Sequence, residues 1–228
     1  MLNQNVMITP MYPQQQQFQL FASRIDRITQ TAGPSLQFLQ NNFGLGTNKT
    51  SGLAVPLAGF RDYVLNLTAT IDTFFNPQFW QTRMPMAPIN QIHTFQNHQI
   101  TYLKFSFLFS IVSLIESEMR KMVRYFCNLT EAKPAFGNIY PAVLARFNLN
   151  GQYLETYKIA RLIRNTVHNN GVHNDPSTTV TFSGTQYQFS NGQPIGFFAF
   201  AFNGDLLESL LNSMVAIVQS NLYQTSNY

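Results

Sequence analysis

The sequence predicts a mainly α fold, an up-and-down helical bundle with a small β-hairpin or three-stranded element before the last helix. Three observations predict it. Apolar residues recur at three- and four-residue steps along most of the chain. Alternating polar and apolar residues are confined to one stretch near the C-terminus. The 228 residues are 45% hydrophobic and 11% charged, enough apolar material for a core, so we expect one domain over residues 1–228.

The N-terminal third contains two predicted helical regions. Residues 1–17 are expected to be a loose tail, followed by a helix over 18–30. The Gly33-Pro34 pair is expected to end that helix, with a short helix after it over 35–43. A Gly- and Asn-rich loop is expected over 44–52, before a second helix over 57–75.

The middle of the chain contains the strongest helix signals. Residues 83–90 contain two prolines and are expected to connect the second helix to a long helix over 92–128. The region 129–151 is broken by prolines and is expected to hold only a short helix over 141–147. A further helix over 152–169 is expected to end at an Asn-Gly pair.

The pattern then changes to that of strands. Residues 178–182 and 185–189 alternate around a Ser-Gly turn, which predicts a β-hairpin. Residues 195–202 are a candidate third strand. We expect Asn203-Gly204-Asp205 to cap the last helix.

Composition excludes several classes of protein. A chain with 21 Phe and 10 Tyr but few charges is not disordered. The single cysteine, Cys127, excludes a disulfide scaffold and a Cys-rich zinc site. The N-terminus lacks a signal-peptide pattern, and the most apolar run, 105–115, is shorter than the roughly 20 residues of a membrane span. We therefore expect a cytoplasmic protein with no membrane association.

Charge is low but unevenly placed. The formal net charge is +4, and much of the polarity comes from 22 Asn and 20 Gln. Residues 104–164 hold nine basic and four acidic side chains, whereas the rest holds five basic and six acidic. The basic excess predicts a basic cleft between the long helix and the helix over 152–169.

The sequence shows no common nucleotide, hydrolase or metal motif. His93 and His98 are five residues apart, which places them on different helix faces, so we expect no metal site there. His173 is interpreted mainly as an exposed turn histidine that could assist a site. We expect no cofactor.

The stretch 157–175, YKIARLIRNTVHNNGVHND, is the strongest candidate for chemistry. At about 100° per residue, one stripe of this helix holds five polar side chains: Tyr157, Arg161, Arg164, Asn165 and His168. The opposite stripe is apolar. An amphipathic helix always has a polar face, but this face contains almost no acids, and it combines guanidinium groups with an imidazole that titrates near neutrality.

These groups suit metal-independent RNA cleavage. The ribose 2′-hydroxyl attacks the adjacent phosphate, a base removes its proton, and an acid protonates the leaving oxygen. Fixed positive donors stabilise the charge that develops at phosphorus, and an Arg fork binds two phosphate oxygens together.

The segment RLIRNTVHNNG resembles the signature helix of the HEPN superfamily, with motif R-x(4–6)-H and often a polar residue after the Arg. Arg161 has the motif spacing to His168, whereas Arg164 is followed by Asn165, so the motif Arg is either of the two. The region that resembles the family covers residues 92–222. The resemblance implies a helical bundle that dimerises across its motif helices. Many members are metal-independent endoribonucleases of toxin–antitoxin and antiviral defence systems.

The resemblance implies specific roles for the residues of the stretch. His168 would be the acid/base catalyst, Arg161 or Arg164 would bind the scissile phosphate, and Asn165 would support them. Tyr157 and Lys158 would line the cleft. RNA, a second copy of the chain, and an antitoxin or defence-system protein would be the partners.

Two other functions stay open. The chain could be an inactive HEPN-like module that binds RNA or a nucleotide or only dimerises, which the short spacing from Arg164 to His168 favours. It could instead be a structural assembly protein, as its amide-rich, charge-poor surface suggests.

Overall fold

The computed structural model of the chain describes residues 13–127, 134–197 and 199–228. The helices are α1 (Pro13–Phe43), α2 (Asn48–Phe74), α3 (Pro77–Arg83), α4 (Ile89–Phe126), α5 (Phe136–Arg146), α6 (Asn150–His168), α7 (Phe200–Gln219) and α8 (Asn221–Thr225). The strands are β1 (Val172–His173), β2 (Thr178–Phe182), β3 (Thr185–Phe189) and β4 (Gln193–Pro194). The predicted fold class, a mainly helical bundle with small antiparallel strand pairs before the last long helix, is confirmed.

The helices pack around one continuous hydrophobic core. α1 packs on α2 and α7, α4 packs on α2 and α5, and α6 packs on α4, α5 and α7. The predicted β2–β3 hairpin is present, with Val180 opposite Tyr187. It covers one end of α6 and contributes Val180, Phe182 and Phe189 to the core.

The predicted break at Gly33-Pro34 is wrong, because α1 continues through both residues. Buried Ala32, Leu36 and Leu39 keep the helical spacing on either side of the proline. Pro34 itself is exposed, so the carbonyl that loses its hydrogen bond can face water. The described part of the predicted tail is also helical from Pro13 onward, and residues 1–12 lie outside the described part of the chain.

Side-chain caps explain two differences from the predicted helices. α2 begins earlier than predicted, and α3 was not predicted at all. The loop predicted over 44–52 is shorter, because the Thr47 side chain accepts a hydrogen bond from the Thr50 amide and starts α2 at Asn48. Asn76 caps α3 in the same way, and Pro77 occupies its first turn. α5 begins at Phe136, before the short helix predicted over 141–147, without a side-chain cap, and residues 128–133 lie outside the description.

The start of α7 also corrects the sequence prediction. The candidate strand over 195–202 is not found among the described residues of that range, and α7 begins at Phe200 rather than after a cap at Asn203-Gly204-Asp205. The Phe202 ring packs on the ring of Tyr187 in β3, with 4.7 Å between centroids. This contact holds the first turn of α7, before Asn203, against the hairpin. Gly204 is buried inside α7, where a Cβ atom would lie 2.8 Å from Arg24 Nη1, so the glycine leaves room for the Arg24 side chain.

Candidate active site

The candidate active site lies where α6 faces α4 and α5, and its central feature is the ion pair between Arg164 and Glu116. Arg164 Nη1 lies 3.0 Å from Glu116 Oε2, and the Glu116 side chain is only 8% exposed. Arg120, one turn later on α4, donates from Nε to the other oxygen of Glu116 at 3.1 Å. It also donates to the Pro134 carbonyl at 2.8 Å. One buried carboxylate therefore holds two guanidinium groups and fixes α6 against α4.

His168 is the last residue of α6, and its side chain is exposed. Its ring meets the Phe109 ring of α4 edge-on, with 4.8 Å between centroids. The Arg164 guanidinium lies over the same ring, 5.7 Å from its centroid. Phe109 thus brings together an oriented cation and an accessible imidazole that are one helical turn apart.

Arg161 occupies a different environment, between α6 and α5. Its guanidinium lies across Gly137, where a Cβ atom would be 3.4 Å from Nη1. Burial raises the pKa of Tyr140, and the positive charge of the nearby Arg161 guanidinium partly offsets the increase. Arg161 is therefore held beside α5, two turns from His168.

Asn165 and Lys158 each contact a nearby carboxylate, Asp175 and Glu155 respectively. Asn165 Nδ2 donates to Asp175 Oδ2 at 3.3 Å, which ties α6 to the segment between β1 and β2. Lys158 Nζ lies 3.6 Å from Glu155 Oε2, one turn earlier on the exposed side of α6. Lys121 of α4 lies 2.7 Å from the buried Glu118. Three of the four acids within residues 104–164 thus pair with bases of the same stretch, and because these acids are already subtracted from the count, the basic excess is unchanged. The basic cleft stays a prediction.

Two residues assigned to the polar stripe or to the loop after it are instead core residues. Tyr157 is completely buried, so its prediction as a cleft residue is wrong. Its hydroxyl lies 2.6 Å from Ser213 Oγ on α7, and its ring stacks on Tyr140. His173 is also buried, with Nε2 3.3 Å from the Pro176 carbonyl oxygen and its ring against Phe189. The prediction of an exposed turn histidine is wrong, because β1 pairs with β4 and places His173 beneath the hairpin.

The burial of Tyr157 predicts a purely structural role. We expect Tyr157→Phe to lower the free energy of unfolding by about 1–2 kcal/mol, because Ser213 loses a buried hydrogen-bond partner. Burial raises the pKa of this phenol, which is consistent with a neutral donor. Urea denaturation measures the change, with Tyr125→Phe, a half-exposed tyrosine of α4, as the control. An unchanged unfolding free energy would contradict the role of this hydrogen bond.

Three residues of the site were not assigned a role from sequence. Phe109 lies off the main apolar stripe of α4, and nothing in the pattern marks it. Asp175 follows the motif helix in a loop, so its contact with Asn165 depends on tertiary structure. Glu116 did carry a signal, because it continues the helical spacing of the apolar residues Val112 and Met119, and a carboxylate buried on that face needs a cationic partner.

Comparisons with protein-family models, with curated proteins and with solved structures find no match to this chain. A function for this chain can therefore be inferred only from its own residues and their geometry. Among the described residues, no three His, Cys, Asp or Glu side chains group closely enough to hold a metal ion. Within the same ranges, α4 is the one helix long and apolar enough to cross a membrane, a test that core helices of soluble proteins also pass. The cytoplasmic location stays a prediction.

Proposed function

We propose that this protein is a metal-independent endoribonuclease of toxin or defence type, as the HEPN resemblance implies. The observation that carries the proposal is the arrangement around Phe109, whose ring contacts both the oriented Arg164 guanidinium and the exposed His168 imidazole. A cation next to an acid/base group is what phosphodiester cleavage by a ribose hydroxyl needs. No metal or cofactor takes part in the proposed reaction.

In the proposed reaction, His168 removes the proton of the ribose 2′-hydroxyl or protonates the leaving 5′-oxygen. The 2′-oxygen attacks phosphorus as the bond to the 5′-oxygen breaks. Arg164, with Arg161 further along the helix, stabilises the charge on the non-bridging oxygens. Asn165 positions the end of α6 through Asp175. A homodimer with its two motif helices facing each other would bring a second His168 to the same phosphate, so that one acts as base and the other as acid.

We expect purified protein to cleave single-stranded RNA with EDTA present, and His168→Ala to lower the rate by at least about 100-fold, the usual lower limit for a general acid–base group. His168 is exposed, so the substitution should leave the melting temperature nearly unchanged. Arg27→Ala, an exposed position on α1, is the control and should cleave at the wild-type rate. Cleavage that EDTA abolishes, or that His168→Ala retains, would overturn the mechanism.

A binding module without catalysis is the second candidate, and the pairing of Arg164 with Glu116 favours it, because a paired guanidinium has fewer donors left for a phosphate. A gel shift with the same RNA separates the two functions. Retarded RNA without cleavage products would favour the binding module. A stable oligomer without RNA affinity would favour a structural assembly protein, and co-purification of a second protein would identify an antitoxin or defence partner.

A further inference from the structure

A second site lies at the other end of α4, in a cleft between α3 and α4 that we call the Trp80 pocket. It has a volume of about 600 Å³, within the range of small-ligand pockets. Its walls are mostly aromatic, and Phe79, Trp80, Phe95 and Tyr102 are the residues that matter below. None of the residues just discussed around His168 lines it.

Hydrogen bonds and ring contacts hold the Trp80 indole in place at the base of the pocket. Trp80 Nε1 donates to the Phe74 carbonyl oxygen at 2.7 Å, and the buried Gln96 side chain donates to the same oxygen at 2.7 Å. The Trp80 and Phe95 rings are nearly parallel, at 11° and 6.2 Å between centroids, and Phe79 meets Trp80 edge-on. The indole orientation is therefore set before any molecule binds.

The exposed parts of the pocket offer ring faces and positive charge. Phe95 is 40% exposed and Tyr102 is 65% exposed, so two aromatic rings of α4 are accessible at the pocket. Arg83 and His98 line the pocket, and its lining includes no carboxylate. Asp72 lies in a neighbouring depression that shares Arg83. Aromatic faces next to a guanidinium are the arrangement that binds unpaired bases and their phosphates in single-stranded nucleic acid.

The helix geometry connects this pocket to the candidate active site. Phe95, Tyr102 and Phe109 follow one another at seven-residue intervals, close to two full turns, so they share one face of α4. From Phe95 to Phe109 the helix rises about 21 Å. The exposed Tyr102 lies midway, and Phe109 is the ring that contacts His168 and Arg164.

We propose that the Trp80 pocket is a base-binding subsite for single-stranded RNA. An unpaired base stacks on the exposed ring of Phe95, which packs against the buried Trp80 ring. Its phosphate lies against Arg83, and the strand runs along α4 past Tyr102 toward His168. The connection to cleavage rests on the proposed ribonuclease function, whereas binding of a base in the pocket does not.

Trp80 is the only tryptophan of the chain, so its fluorescence reports on this pocket alone. The probe is a 2′-O-methyl uridine octamer, which lacks the attacking hydroxyl and cannot be cleaved by the proposed reaction. We expect saturable quenching of Trp80 in the wild type and equally in Arg27→Ala, at an exposed position on α1. A base-paired 2′-O-methyl hairpin should give no quenching. Unchanged fluorescence at saturating octamer, or equal quenching by the hairpin, would overturn the subsite.

Affinity is measured separately, from the anisotropy of a fluorescein-labelled octamer. We expect Phe95→Ala to weaken binding by about fivefold to a hundredfold, the range for losing one stacked base. Tyr102→Ala should also weaken it, and Phe38→Ala, a phenylalanine of α1 with similar exposure at 45%, should change it less than twofold. If Phe95→Ala has no more effect than Phe38→Ala, or if it dissociates a wild-type dimer in light scattering without changing RNA affinity, the pocket is not a base-binding subsite.

Discussion

Glu116→Gln is expected to lower the free energy of unfolding by about 2–4 kcal/mol. The wild-type carboxylate is 8% exposed and pairs with both Arg120 and Arg164. The amide keeps the shape of the side chain but removes the charge, leaving two neighbouring guanidinium groups without their counter-charge. Removing one partner of a buried pair usually costs about 3–5 kcal/mol. The arginine side chains here are 35% and 22% exposed, so water offsets part of that loss.

Thermal and urea denaturation measure this effect. For a chain of this length, each kcal/mol corresponds to about 2–4 °C in melting temperature. Glu155→Gln is the matched control, because Glu155 forms an exposed pair with Lys158 at 3.6 Å and should contribute less than about 1 kcal/mol. Equal stability losses in the two variants would show that the buried network does not hold α6 on α4.

The Arg164–Glu116 pair illustrates what a sequence can and cannot predict about this fold. α4, α6 and the β2–β3 hairpin were predictable, because each has a clear period and a clear face. Helical periodicity also placed Arg161, Arg164, Asn165 and His168 along one stripe, and all four lie at the surface or partly buried in the structure. Which other helix packs against this stripe depends on the tertiary structure, and the period of one helix does not reveal it. The Arg164–Glu116 pair joins residues 48 positions apart, so spacing within one helix could not predict it.

Tyr157 and His173 show that the local pattern can also suggest exposure for a side chain that tertiary contacts bury. Tyr157 lies near the polar stripe by angle, but α7 covers that part of α6 and places Ser213 beside the phenol. His173 follows an Asn-Gly turn, which suggests exposure. The two-residue pairing of β1 with β4 joins residues about 20 positions apart and buries the imidazole. Pro34 is a further case, since the core contacts of α1 outweigh the local preference of proline to end a helix.

The two candidate phosphate-binding arginines, between which spacing left the choice open, lie in different surroundings. Arg164 lies one turn from His168 and shares the Phe109 ring with it, whereas Arg161 lies two turns away against Gly137 and Tyr140. We expect Arg164→Gln to lower the RNA cleavage rate by about 100- to 1,000-fold, as loss of a transition-state donor does. Arg161→Gln should lower it by no more than about tenfold, mainly through weaker RNA binding.

Arg164→Lys makes this test specific, because an effect on folding must be separated from an effect on the phosphate. A lysine keeps a positive charge for Glu116 but lacks the planar fork that meets two phosphate oxygens together. It should therefore keep most of the stability lost in Arg164→Gln, yet cleave at least about tenfold more slowly than the wild type. If Arg161→Gln causes the larger loss and Arg164→Lys is fully active, Arg161 binds the phosphate. The Arg164–Glu116 pair would then serve only to hold α6 against α4.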